Sequence, residues 1–210
     1  MIATRNLTAR PDPWTEPTWE VALLFPDQGA WSEEEFLNLD TNRLVEFSHG
    51  RLEVLPMPNE THQNIVFFLA ALFKAFAKQA GGHAVLAPFR LRLWPGKIRE
   101  PDIMFIAHAA DPRRQQAFWS GADLVVEVLS DDDPLRDDDP LRDLSVKRFE
   151  YAQAHIPEYW IVDPRAETLT VLALQGDAYR EHGRFARGDT ATSATLASLD
   201  VEVNALFDAE

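Results

Sequence analysis

Apolar residues recur at helical spacing through one long stretch. Ile65, Phe68, Leu69, Leu72, Phe73 and Phe76 share one side of a helix, with Gln63, Lys74 and Lys78 as polar positions. The pattern predicts a helix over 62–80, ended by Gly81-Gly82. A second helix is predicted from Asp143, acting as its cap, to about His155, since Pro157 lies just beyond. Ser32-Glu33-Glu34-Glu35 fits a capping box that opens a short helix towards Leu39. Elsewhere the period is two. Leu44–Ser48 and Arg51–Leu55 flank His49-Gly50 and read as a tight hairpin, stopped by Pro56 and Pro58. Phe89, Leu91 and Leu93 alternate with Arg90 and Arg92, which predicts a half-exposed strand with a basic face, turned back by Pro95-Gly96. Asp102–Ile106 and Leu124–Leu129 read as buried strands. Glu158–Val162 and Thr168–Leu174 read as another hairpin, with Tyr159-Trp160 in the core or on a dimer surface. The last third returns to short strand-like pieces ending near Leu206. The expected class is α/β or α+β: a mixed β-sheet flanked by the helices 62–80 and 143–155, with additional β-hairpins.

Composition adds boundaries to this picture. Residues 1–30 hold Pro11, Pro13, Pro17 and Pro26 around Trp14 and Trp19, an extension of turns whose tryptophans are expected to pack on the core. Residues 31–207 are read as one domain. The absence of cysteine excludes disulfides, cysteine–zinc sites and thiol nucleophiles. The apolar run through Val66–Phe73 is far short of the ~20 residues of a membrane helix, and no signal-peptide pattern is present, so the cytoplasm is the expected location. The formal charge of −14 constrains function most. A protein that grips nucleic acid broadly carries a basic face, so any such reading must place its acids locally. Part of the excess is local, because Asp131-Asp132-Asp133-Pro134-Leu135-Arg136 is repeated at once over residues 137–142. The repeat reads as a duplication that lengthened a loop. As a calcium loop it lacks the glycine and terminal Glu of an EF-hand.

Two acids and a lysine suggest chemistry. Glu127 shares a strand face with Val125 and Leu129, and the opposite face is Leu124, Val126 and Val128. An ionised carboxylate there is costly unless a metal or hydrogen bonds compensate. We therefore read it as a site acid and not as an edge-strand Glu with a surface partner. Asp102 follows Pro101 at the start of another apolar strand. Lys147, Tyr151 and Leu144 share a face of the second helix, which begins soon after the Glu127 strand ends. Two carboxylates near one lysine suit phosphodiester hydrolysis. The carboxylates hold Mg²⁺ or Mn²⁺, the metal activates water, and the lysine orients that water or steadies the phosphate. A P-loop, GxGxxG, Gly-x-Ser-x-Gly elbow and HExxH helix are all absent.

Several stretches, in order and spacing, resemble the Uma2 family of restriction-endonuclease-like proteins, within the PD-(D/E)XK nuclease fold. They are Leu44–Leu55, His62-Gln63, Arg99–Phe105, Ala122–Ser130, the series Asp143, Lys147 and Tyr151, Pro157–Pro164 and Leu196–Phe207. The resemblance implies a metal-dependent endonuclease acting on nucleic-acid phosphodiesters, DNA foremost, with Mg²⁺ or Mn²⁺ and as a homodimer. It makes Asp102 the acid of the PD element and Glu127 the acid of the (D/E)XK element. Residue 129, where the strand lysine would stand, is Leu129, and Lys147 on the following helix matches the family's lysine. Glu46 matches an acid that completes the metal site, and His62 and Tyr151 match accessory positions. His62 also reads as a hydrogen-bonded structural residue, and His49, His83, His108, His155 and His182 show no shared metal spacing. Arg90 and Arg92 are candidate phosphate contacts or partners for the many acids. The doubled acidic hexapeptide replaces the family's short link and opposes a phosphate backbone. Two other classes stay open: a binding or assembly module that kept the fold without cleavage, and a metal-dependent hydrolase of a small phosphate compound.

Overall fold

Ser32 opens α1 (Glu33–Leu37): its Oγ accepts from the Glu35 N–H, and the Glu35 carboxylate accepts from the Ser32 N–H at 2.7 Å. The structure, a computed structural model, describes residues 25–41, 43–129 and 140–209. Trp14, Trp19 and most of the doubled hexapeptide lie outside the described residues. The helix ends at Leu37, short of the expected Leu39, with Asn38 as its C-cap. Strands β1 (Val45–Ser48) and β2 (Arg51–Val54) form the expected hairpin. His49 and Gly50 have φ of 47° and 80°, the paired left-handed residues of a two-residue hairpin turn. A Cβ on Gly50 would stand 2.6 Å from the Gly29 carbonyl oxygen, so this position also needs glycine for space.

The long helix, α2 (Glu60–Ala80), starts two residues before the expected position, because Asn59 caps it: Oδ1 accepts from the His62 N–H at 2.9 Å. It closes on Gly81, as the pattern predicts. Next come β3 (His83–Leu86), β4 (Arg90–Trp94), β5 (Lys97–Arg99), β6 (Ile103–Ile106), β7 (Phe118–Trp119) and β8 (Leu124–Val128). Helix α3 (Pro140–Gln153) begins three residues before Asp143, which therefore stands in its first turn and not at its cap. Proline is tolerated there because a first-turn N–H has no helical partner. The chain continues through β9 (Glu158–Asp163), β10 (Thr168–Gln175), β11 (Ala178–Ala186), β12 (Thr190–Thr192) and β13 (Asp200–Glu202). It ends in a helix, α4 (Val203–Phe207), where short strand-like pieces are expected. Val203 and Leu206, three apart, are its buried residues.

A six-stranded mixed sheet runs β11-β10-β9-β8-β6-β3, and a five-stranded sheet runs β2-β1-β5-β4-β7. In the larger sheet β8 and β9 are parallel, and α3 is the crossover between them. Alternation along β8 divides the core. Leu124, Val126 and Val128 pack with Ile65, Leu69 and Phe73 of α2. Val125 packs with Tyr151, Ala152 and Tyr159 on the α3 side. The expected flanking by two helices is therefore observed, and Tyr159 and Trp160 are core residues. On the smaller sheet the expected basic face of β4 is covered by α1. Arg92 pairs with Glu33 at 2.9 Å, and Arg90 donates to the Leu37 carbonyl and lies 4.5 Å from the centre of the Phe36 ring.

One buried carboxylate ties distant parts of the chain. Glu158, at the start of β9, is fully buried. It accepts from the Trp160 indole, the Ser193 hydroxyl, the Ala194 and Thr195 N–H groups and the Thr195 hydroxyl. Among the described residues, no helix is long and apolar enough to cross a membrane.

Candidate active site

Strand register brings the two acids together. Ile103 of β6 pairs with Val126 of β8 and Met104 with Val125, so the next step sets Asp102 beside Glu127, where β6 begins and β8 ends. Asp102 is held from both sides. Its Oδ2 accepts from the Val128 N–H at 2.7 Å, and its Oδ1 lies 3.3 Å from His62 Nε2. The cap on Asn59 fixes the first turn of α2 and so delivers His62 to this carboxylate.

Glu127 sits on an interior strand of the sheet, and it is buried. Helix α3 answers its charge with two residues one turn apart. Lys147 Nζ donates to Oε2 at 2.9 Å, and the Tyr151 hydroxyl donates to Oε1 at 2.6 Å. Burial pushes the Glu127 carboxyl up to about 7, the field of Lys147 pulls it down, and Asp102 and Glu46 push it further up. Burial and the neighbouring Glu127 carboxylate raise the Tyr151 phenol well above its ordinary range. For His62, burial favours the neutral ring, but Asp102 and Glu127 outweigh it and raise its proton affinity. His62 Nδ1 is buried without a hydrogen-bond partner.

Asp102, Glu127, Lys147 and His62 line one cleft of about 110 Å³. Its remaining walls include Leu44, Leu55, Pro58 and Leu144. Tyr151 bonds to Glu127 without lining the cleft. Glu46 does not line the cleft. It is buried against Arg99 and accepts from the Glu100 N–H at 3.2 Å. Burial opposes its ionisation, yet Lys147 and Arg99 hold its carboxyl below the ordinary range. Arg90 and Arg92 are likewise outside the cleft, engaged with Glu100, Leu37 and Glu33. Among the described residues, Asp102 and Glu127 are thus the cleft's carboxylate oxygen donors. Among the described residues no group of three or more His, Asp or Glu side chains converges to hold a metal ion.

Sequence reading missed the buried pairs that brace this cleft. Lys97 and Arg99 project from β5 onto Glu150 of α3, at 2.7 Å each. Glu100 is buried as well, and that burial lifts its carboxyl to about 7 while Arg90 and the Val45 N–H oppose the rise. A signal existed in Arg99-Glu100 next to Pro101-Asp102, since three charged residues flank an apolar strand. Glu150 had none, because its partners lie 51 residues or more away.

Comparison with known proteins adds a family and a fold. Residues 33–204 match the family model described as "Uma2: Putative restriction endonuclease". A crystal structure from Anabaena variabilis, described as that of "a putative nuclease belonging to DUF820", superposes with a TM-score of 0.66 at 21% identity, covering 84% of this chain and 97% of its own. No curated protein matches the chain.

Proposed function

The chain belongs to the Uma2 family, and from that premise we propose that it is a divalent-metal-dependent nuclease that hydrolyses phosphodiester bonds of DNA at the Asp102–Glu127 cleft. The observation that carries the reading is the convergence of Asp102, Glu127 and Lys147 on one small cleft. Its volume of about 110 Å³ suits a phosphoryl group better than a whole nucleotide.

The donor set fits Mg²⁺ or Mn²⁺. Both acids offer hard oxygen ligands, and magnesium is commonly held by one or two carboxylates together with substrate phosphate. A buried acid pair whose members repel each other also favours a cation between them. Asp102 and Glu127 would hold the ion, which when bound supplies Lewis-acid activation of water and offsets charge on the phosphate. Glu46 is proposed as an accessory acid acting through its field. The chain's own groups do the rest. His62 and the Val128 N–H fix the Asp102 carboxylate. Tyr151 fixes Glu127, and Lys147 places a positive charge where negative charge develops on the phosphoryl oxygens. The water oxygen bonds to phosphorus as the ester P–O bond breaks, and the leaving oxygen gains a proton in place of the one water gives up. We propose a homodimer, since a duplex presents two strands to cut.

The test pairs binding with cleavage. Calorimetric Mn²⁺ titration should show one site in the wild type that is lost in Asp102→Asn and Glu127→Gln. Both variants should cut DNA at least about a hundredfold more slowly. A wild type that cuts no nucleic acid better than Asp102→Asn sinks the reading. The charge of −14 favours a second reading, a binding module that kept the fold without cleavage. That reading requires Mn²⁺ affinity unchanged by either substitution.

A further inference from the structure

A second cleft, of about 570 Å³, opens at the far end of β6 from Asp102. The β3–β6 register fixes this placement, because His83 on its wall pairs with Ile106, three residues beyond Ile103. Buried Trp119 is one of its lining residues. The His83 ring lies 6.1 Å from the Trp119 ring, Phe89 meets it edge-on at 6.0 Å, and the Arg114 guanidinium carbon stands 5.9 Å from its centre. His83 and Phe89 are half-buried, so both rings keep some open surface.

The charge of this cleft is unlike that of the whole chain. Among the described residues that line it Asp111 is the one acid, and Arg113 takes up both of its oxygens, at 2.7 and 3.0 Å. Arg114 donates to the Ala109 carbonyl, but its Nε has no hydrogen-bond partner. Burial, together with the positive charges of Arg114 and Lys74, lowers the proton affinity of His83, which leaves a neutral, flat ring at neutral pH. The walls are already tied in place. The Ala109 N–H donates to the Gly81 carbonyl at 2.9 Å, the Ser120 N–H to the Arg113 carbonyl at 2.9 Å, and Arg113 to Asp123 at 2.7 Å. Such a cleft offers rings for a planar group, a cation for an anion, and the Gln115 amide for a polar edge. Its volume falls within the 300–1,000 Å³ or so of small-ligand sites.

We infer that this cleft binds one nucleotide unit, with the base against His83 and Phe89 and the phosphate on Arg114. The choice of a nucleotide among planar anions rests on the nuclease reading. The unit has two sources: a free mononucleotide, or an unpaired nucleotide of a single strand. In the second case the cleft would anchor a strand away from the point of cutting.

The experiment measures binding of AMP and of a short single-stranded oligothymidylate to the full chain. It uses the Asp102→Asn background in EDTA, so that nothing is cut. Arg114→Gln and Phe89→Leu should each weaken binding roughly tenfold or more. Phe89→Leu keeps the site apolar and removes the ring, so a fold defect from one variant does not decide the result. Loss for both probes supports the site and a free nucleotide as occupant. Loss for the oligonucleotide alone supports the site and a strand as occupant. No binding of either probe, or binding that neither substitution weakens, overturns the inference. Cleavage by the wild type is scored separately with Mn²⁺. Arg114-dependent binding without any cleavage would remove the nuclease reading and leave the cleft, and cleavage without such binding would do the reverse.

Discussion

A carboxylate as deeply buried as that of Glu127 keeps its charge only because Lys147 and Tyr151 face its two oxygens. In the fold it takes up a proton near pH 7, against an ordinary value of 4.5, so the folded chain binds that proton more tightly than the unfolded chain. Its contribution to stability therefore falls as pH rises from 4.5 to about 7. Lys147→Met removes the compensating charge and extends that falling window upwards. Urea denaturation in EDTA should show a loss of about 3 kcal/mol at pH ~8 and much less at pH ~5. A pH-independent loss would mean that the lysine matters by packing alone. The three residues of this cluster were readable from sequence for a local reason. Glu127 interrupts an apolar strand, Asp102 opens one, and Lys147 stands four before Tyr151. Lys97 and Glu150 were not readable, since each looks like an ordinary surface charge until β5 meets α3.

That meeting is the main feature at the scale of elements. α3 turns Lys147 and Tyr151 to β8, and Glu150 to β5 of the other sheet. The helix thus pins the two sheets together and sets the depth of Lys147 over Glu127. Glu150→Ala leaves Lys97 and Arg99 with less compensation and should cost about 3 kcal/mol. Hydrogen exchange should localise the loosening to α3 and β5. Uniform destabilisation, with no local change in protection, would argue against the pin. Legibility followed length here. α2, of 21 residues, declared itself through six apolar positions, and its end through Gly81. β5 and β7, of three and two residues, were too short to show a period. The start of α3 was misplaced because Asp143 looked like a cap, whereas the helix already begins at Pro140.

For the molecule as a whole, the charge of −14 limits how a polyanion can approach. Arg90, Arg92, Lys97 and Arg99 are all committed to acids of the chain. These four cations are not open to phosphate and the net charge opposes a polyanion, so binding should release few counterions. The slope of log affinity against log salt should stay below about 3 in magnitude, where a groove binder with 6–10 phosphate contacts loses roughly 0.9 per contact. A slope steeper than about 6 would reveal a basic face that this picture lacks. Glu158 carries a consequence of another kind, about the order in which the chain is made. Its carboxylate lies at the head of β9, one of the two central strands of the large sheet, and several of its donors come 35 to 37 residues later. A ribosome releases β9 well before it releases those donors. During that interval the strand carries an unmatched charge into the most apolar part of the nascent domain, and closing the sheet is unfavourable. A chain truncated before residues 193–195 should therefore be cut faster by a protease than the full chain, which limited proteolysis would check.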